Sequence, residues 1–123
     1  FMISSCHDGR HGRAWRQEGV YLTLTPEFVD EAFAQEVLAA VRAKKKGLRF
    51  DELRFESIEE GPCVQMQHEG PYDDEPAGFA RMEAFAAGRG LCRACKTHRE
   101  IYLSDARRTE PARLRTILRF GVA

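Results

Sequence analysis

Downstream of Cys63 the apolar period changes twice, and that change limits the fold more than any single motif does. Val64, Met66 and His68 alternate with Cys63, Gln65 and Gln67, the period of a strand. Asp73 or Asp74 then offers a helix cap. Phe79, Met82 and Ala86, backed by Phe85, follow at helical spacing until Gly88 and Gly90. Gly78 weakens that helix locally by about 1 kcal/mol relative to alanine. Alternation returns over His98–Leu103 and again over Leu114–Phe120, across a charged turn from Ser104 to Pro111. The order strand, helix, strand, strand predicts an α+β fold, a mainly antiparallel sheet backed by helices on one face.

The upstream half reads less regularly. Residues 1–14 hold Gly9 and Gly12 with no apolar period and are expected to be an irregular lead-in to one domain over 15–123. Val20–Leu24 alternates and predicts a strand. Thr25 as N-cap, Pro26 at the first helical position and Glu27 in the first turn predict a helix start. Val29, Phe33, Val37 and Val41 form its stripe, and Lys44–Lys46 with Gly47 close it. The lysine run is read as a solvated helix end rather than a surface for an acidic partner. Leu53, Phe55 and Ser57 alternate with Arg54, Glu56 and Ile58. Glu59–Pro62 would turn that strand back on the one from Cys63.

Composition excludes several classes. With 19 basic and 19 acidic residues the formal charge is zero, which argues against a nucleic-acid partner needing a basic excess. No apolar run approaches the roughly 20 residues of a membrane helix, and residues 1–6 are too short for a signal peptide. A cytoplasmic location without membrane contact is therefore expected. Leu, Ile, Val and Phe make up roughly a fifth of the 123 residues, so the core is small. An uncompleted sheet would expose its strand edges, and pairing with a second copy as a homodimer is expected to cover them.

Few residues carry chemistry. Cys92, Cys95 and His98 have zinc-ligand spacing, but a structural site needs four ligands, and only Cys6, His7 and His11 could supply another. Two reduced thiols in a loop, with no metal, is the preferred reading. If Ile101 and Leu103 pack on the helices, alternation sends Glu100 and Tyr102 to the face turned away from Phe79 and Met82. There Glu100 is either a charge on a wet sheet or a carboxylate in an aromatic-lined concavity, serving as counter-ion or general base. His68 is a polar strand terminus or a titrating pocket residue. Arg107, Arg108, Arg113, Arg115 and Arg119 could attract an anion or simply guard sheet edges. Trp15 and Tyr21 offer stacking surface or core.

Several runs occur together: Phe55-Glu56-Ser57, Gly61-Pro62-Cys63-Val64-Gln65, and His68 followed by Gly70-Pro71-Tyr72-Asp73-Asp74-Glu75. Downstream come His98, Glu100-Ile101-Tyr102-Leu103-Ser104-Asp105, Arg107-Arg108-Thr109, Pro111 and Leu114 to Arg119. Jointly they resemble the GyrI-like small-molecule-binding family, over about residues 15–122. Relatives include effector-binding domains of multidrug-responsive regulators. The resemblance implies two βαββ repeats, of which this chain carries the second and little of the first. It also implies a pocket for hydrophobic, often cationic, ligands, with Glu100 on the position of the family's pocket acid and no cofactor or metal. Some stand-alone members are hydrolases that open strained cyclopropane rings of DNA-alkylating natural products with a glutamate and a tyrosine.

Three readings stay open. As a binding module, the protein holds an apolar or cationic small molecule, with Glu100 as counter-ion and Tyr102, Tyr72, His68 and Tyr21 around it. As a hydrolase, Glu100 activates water against a strained or electrophilic ligand and Tyr102 or Tyr72 donates a proton to the developing anion. As a truncated fragment it does neither. No DNA-binding motif is present, so a complete transcription regulator is not expected.

Overall fold

The computed structural model describes residues 2–5 and 18–21 as backbone and residues 23–123 in full. Cys6, His7, His11 and Trp15, the Tyr21 side chain and Leu22 lie outside the described residues. The chain divides into two compact units, residues 1–23 with 60–123, and residues 24–59.

The first unit is a five-stranded antiparallel sheet in the order β2-β1-β4-β5-β3. Its strands are β1 (Met2–Ser5), β2 (Glu18–Tyr21), β3 (Cys63–Glu69), β4 (Thr97–Tyr102) and β5 (Arg115–Gly121). β1 falls inside the stretch expected to be irregular. The long helix of this unit, here α2 because α1 precedes it in the second unit, spans Glu75–Gly88 and packs on β3. The α+β order β3-α2-β4-β5 is therefore present as the sequence predicts.

α2 turns Glu75, Gly78, Met82 and Ala86 inward at spacings of three and four. They meet Leu118, Phe120 and Val122, with Val64, Met66 and Phe79 packed around them. Each large apolar side chain buried there contributes about 1.5–3 kcal/mol, so this small cluster is the main apolar core among the described residues of the unit. Gly78 has its reason here. A Cβ at that position would stand 2.9 Å from Met66 Cε and 3.0 Å from Leu118 Cδ1, so glycine lets the helix approach the sheet. Asp74 is the N-cap without a side-chain cap bond, because a 3-10 turn over Tyr72–Asp74 leads into the helix. After α2, the Arg93 guanidinium covers the rings of Phe79 and Phe120 and pairs with Glu83 at 2.9 Å.

The second unit holds α1 (Glu31–Lys44) and a 3-10 turn over Phe50–Glu52. The helix starts later than Thr25-Pro26 suggests. Asp30 is the cap, accepting from the Phe33 N–H at 2.8 Å, while Pro26 begins a turn closed by Val29 N–H at 3.0 Å. Residues 23–26 form no strand, so the strand expected over Val20–Leu24 is seen only to Tyr21. Leu53–Ile58 forms none either. Alternation makes a segment fit for a strand, but a ladder needs a partner, and β3 pairs with β5 instead. No helix among the described residues is long and apolar enough to cross a membrane.

Candidate functional site

β4 alternates His98, Glu100 and Tyr102 on one face with Arg99 and Ile101 on the other. The register pairs Glu100 with Leu118 and Tyr102 with Thr116, so these side chains share a face with the core of β5. Leu118 packs under α2, and the Phe79 ring of α2 meets the His98 ring edge-on at 4.6 Å. The expectation that Glu100 and Tyr102 turn away from α2 is thus overturned. Ile101 and Leu103 are the more apolar pair, but register with Leu118 outweighs their hydrophobicity. Arg99 and Arg119, neighbours on the opposite face, both pair with Glu60.

Glu100 is 3% exposed. Its Oε1 accepts from His98 Nε2 at 2.9 Å, and its Oε2 accepts from the Tyr102 hydroxyl at 2.6 Å. Burial alone would push its carboxyl up. The two hydrogen bonds and the charge His98 can bring outweigh burial and hold it below the usual carboxylate range. Glu100 is therefore a buried carboxylate held as the anion. The Tyr102 hydroxyl is pushed up, first by burial and then by its bond to Glu100, and stays a proton donor.

The turn after β3 supplies the next residues. Gly70 takes φ +126° and its N–H donates to the Leu114 carbonyl at 2.9 Å, tying the end of β3 to the approach to β5. His68 Nε2 donates to the Pro71 carbonyl at 2.9 Å. This bond holds the start of the turn that sets the Tyr72 ring edge-on to Tyr102, centroids 5.5 Å apart. Tyr72 and Tyr102 remain 38% and 37% exposed. Tyr102 thus reaches from solvent to the buried carboxylate. Of the expected site residues, Glu100, Tyr102 and Tyr72 come together, and His68 braces the turn. Tyr21 has no described side chain.

Two members were not singled out from the sequence as site residues. His98, a metal-ligand candidate and part of the family-like run in the sequence, is Glu100's hydrogen-bond partner, and its position two residues earlier on one strand face is the available signal. Glu75, at the start of α2, is 5% exposed, and its buried Oε1 has no hydrogen-bond partner among the described residues. It closes the Gly70–Glu75 run, but an acid in a helix's first turn usually signals only a dipole preference, so its burial is not legible there. Burial first, and then the Glu100 charge, push its carboxyl up to about 8.

Cys92 and Cys95 are exposed, free thiols whose Sγ atoms face the Ala123 and Thr97 carbonyls, while His98 is engaged by Glu100. Among the described residues no cluster could hold a metal ion. Arg108, Arg113 and Arg115 line a separate open cleft of about 740 Å³ together with Glu69, Asp105 and Glu110. Acids balance bases there.

The family described as the GyrI-like small molecule binding domain matches residues 17–122. No curated protein matches the chain. Among solved structures, an uncharacterized conserved protein from Listeria innocua is 30% identical with a TM-score of 0.82, covering 99% of this chain and 63% of its own. A hydrolase from the same organism is 28% identical with a TM-score of 0.80, covering 99% and 61%. Another Listeria innocua hydrolase is 30% identical with a TM-score of 0.80, covering 99% and 62%. This chain therefore spans a little over three fifths of those proteins' lengths.

Proposed function

We propose, from the premise that this chain belongs to the GyrI-like small-molecule-binding family, that it binds hydrophobic cations with Glu100 as counter-ion. One observation carries this reading. Glu100 is 3% exposed, held as an anion by His98 and Tyr102, and its charge acts on a second buried carboxyl, Glu75. An apolar cation lying against this held anion gains a charge contact that water screens little, which is the chemistry that would recognise it. The half-exposed Tyr72 and Tyr102 rings supply faces for such a ligand.

The test compares tetraphenylphosphonium with triphenylphosphine oxide, a neutral compound that keeps three of its four phenyl groups, by calorimetric titration of wild type and Glu100→Gln. Loss of a desolvated charge contact of about 1.5–3 kcal/mol predicts roughly 10- to 150-fold weaker binding of the cation alone. Equal small losses for both ligands would remove Glu100 from the binding role.

A hydrolase reading is supported by the 2.6 Å contact between a tyrosine hydroxyl and a carboxylate, and by the description of two similar structures as hydrolases. Glu100 would activate water against a strained cyclopropane, and Tyr102 would protonate the departing carbon or its conjugated oxygen. Turnover of a cyclopropanoid alkylating agent, abolished in Glu100→Gln with binding retained, would favour it. Pairing with a second copy belongs to the same proposal. β3 is an edge strand of the sheet, and a second chain would cover it. A compact monomer in sedimentation at micromolar concentration would exclude this.

A further inference from the structure

Among the described residues of this unit two carboxyl groups lie buried, and they are treated differently. Glu100 accepts two hydrogen bonds. Glu75 Oε1 accepts none among the described residues, although the residue is 5% exposed. An ionised carboxylate oxygen left without donors in such a place is among the costlier arrangements a fold can hold, whereas a neutral acid is tolerated.

Among the described residues, the groups whose charges act on Glu75 supply no positive charge. From β4 they are the Glu100 carboxylate and the Tyr102 hydroxyl, and from the 3-10 turn the Tyr72 hydroxyl. His98 is engaged by Glu100, and His68 on β3 by the Pro71 carbonyl. The N-terminal end of α2 favours the anion, but by only about 0.3–1 kcal/mol.

We propose that Glu75 stores a proton while the site is empty and releases it to solvent when a cation settles against Glu100, so that ligand is taken up in exchange for a proton. The O–H bond of the acid breaks, its electron pair stays on the carboxylate, and the proton passes to buffer. This inference rests on the counter-ion reading and adds a second residue to it. The cation cancels the repulsion from Glu100 and attracts the new anion, so both changes favour ionisation of Glu75. Because burial and the Glu100 charge together hold the empty-site carboxyl near 8, most of the protein carries this proton at neutral pH.

Tetraphenylphosphonium is titrated at pH 7 into the intact chain in phosphate and in Tris, buffers of different ionisation enthalpy. The expected result is release of close to one proton per cation bound, and near zero in Glu75→Gln, which mimics the neutral acid in size. Wild-type affinity should also rise with pH, by up to tenfold per unit between about 6 and 8, and level off above that. The slope should vanish in Glu75→Gln. Infrared spectra give a reading without ligand. A neutral carboxylic acid band should be present at pH 7, absent in Glu75→Gln, and lost on adding the phosphonium ion. Binding without proton release, or equal release in both proteins, overturns the proposal and leaves Glu100 as counter-ion. No binding to wild type overturns the counter-ion reading and this one with it. Absence of the acid band at pH 7 overturns this proposal alone.

Discussion

Glu100 on β4 sits opposite Leu118 on β5, so a carboxylate 3% exposed shares a sheet face with a leucine of zero exposure in the core. The consequence is that Glu100 is braced by its own strand. Its partners, His98 and Tyr102, stand two residues to either side on the same face.

Removing one brace should be measurable. Tyr102→Phe deletes the hydroxyl that donates to Glu100 Oε2 at 2.6 Å. A hydrogen bond to a charged group predicts about 1.5–3 kcal/mol of lost stability in urea denaturation, with the Glu100 carboxyl titrating higher by NMR. An unchanged Glu100 titration would show that the hydroxyl does not hold the anion.

Gly78→Ala should destabilise the protein although alanine is the better helix former. The added Cβ meets Met66 Cε at 2.9 Å and Leu118 Cδ1 at 3.0 Å. Overpacking costs about 1–3 kcal/mol, against a propensity gain of about 1 kcal/mol. A variant more stable than wild type in thermal melting would mean that helix and sheet can part without cost.

Stability should fall as the solution turns from acid to mildly alkaline. Glu75 binds its proton more tightly in the fold, at about 8, than in the unfolded chain, near 4.5. The stability this contributes is fully present below 4.5 and is lost as pH rises to about 8. Glu75→Gln should flatten that window when denaturation midpoints are compared at pH 5, 7 and 9. Glu100, with its carboxyl lowered, acts in the opposite sense, and its share is lost as pH falls through and below the usual carboxylate range. Parallel profiles for wild type and Glu75→Gln would contradict the assignment.

The opposite sheet face offers a control. Glu60 pairs with Arg119 at 2.5 Å and with Arg99 at 3.2 Å, and the two arginines are register neighbours. Glu60→Gln leaves them facing each other unscreened and should cost about 1–2 kcal/mol, between exposed and buried ion pairs. Cation binding at Glu100 should be unchanged. A matching loss of affinity would show that the two faces are coupled.

How much of this was legible in the sequence differs by element. The βαββ order from Cys63 was, because each segment keeps one period over its whole length and Gly, Pro and Asp punctuate the joins. The start of α1 was not, since Thr25-Pro26 and Asp30 are both competent caps and local chemistry does not rank them. The Leu53–Ile58 alternation formed no strand, because pairing is a property of two segments and alternation belongs to one. The same limit governs the site. Sequence alone determined that Glu100 and Tyr102 lie on one face, and that His98 joins them, because a strand's side chains repeat every two residues. Which face α2 covers was decided by the β4–β5 register, a long-range choice that set Glu100 beside Leu118 rather than against solvent. The burial of Glu75 was decided there too, since an acid in a helix's first turn reads the same in sequence whether water or a sheet lies beside it.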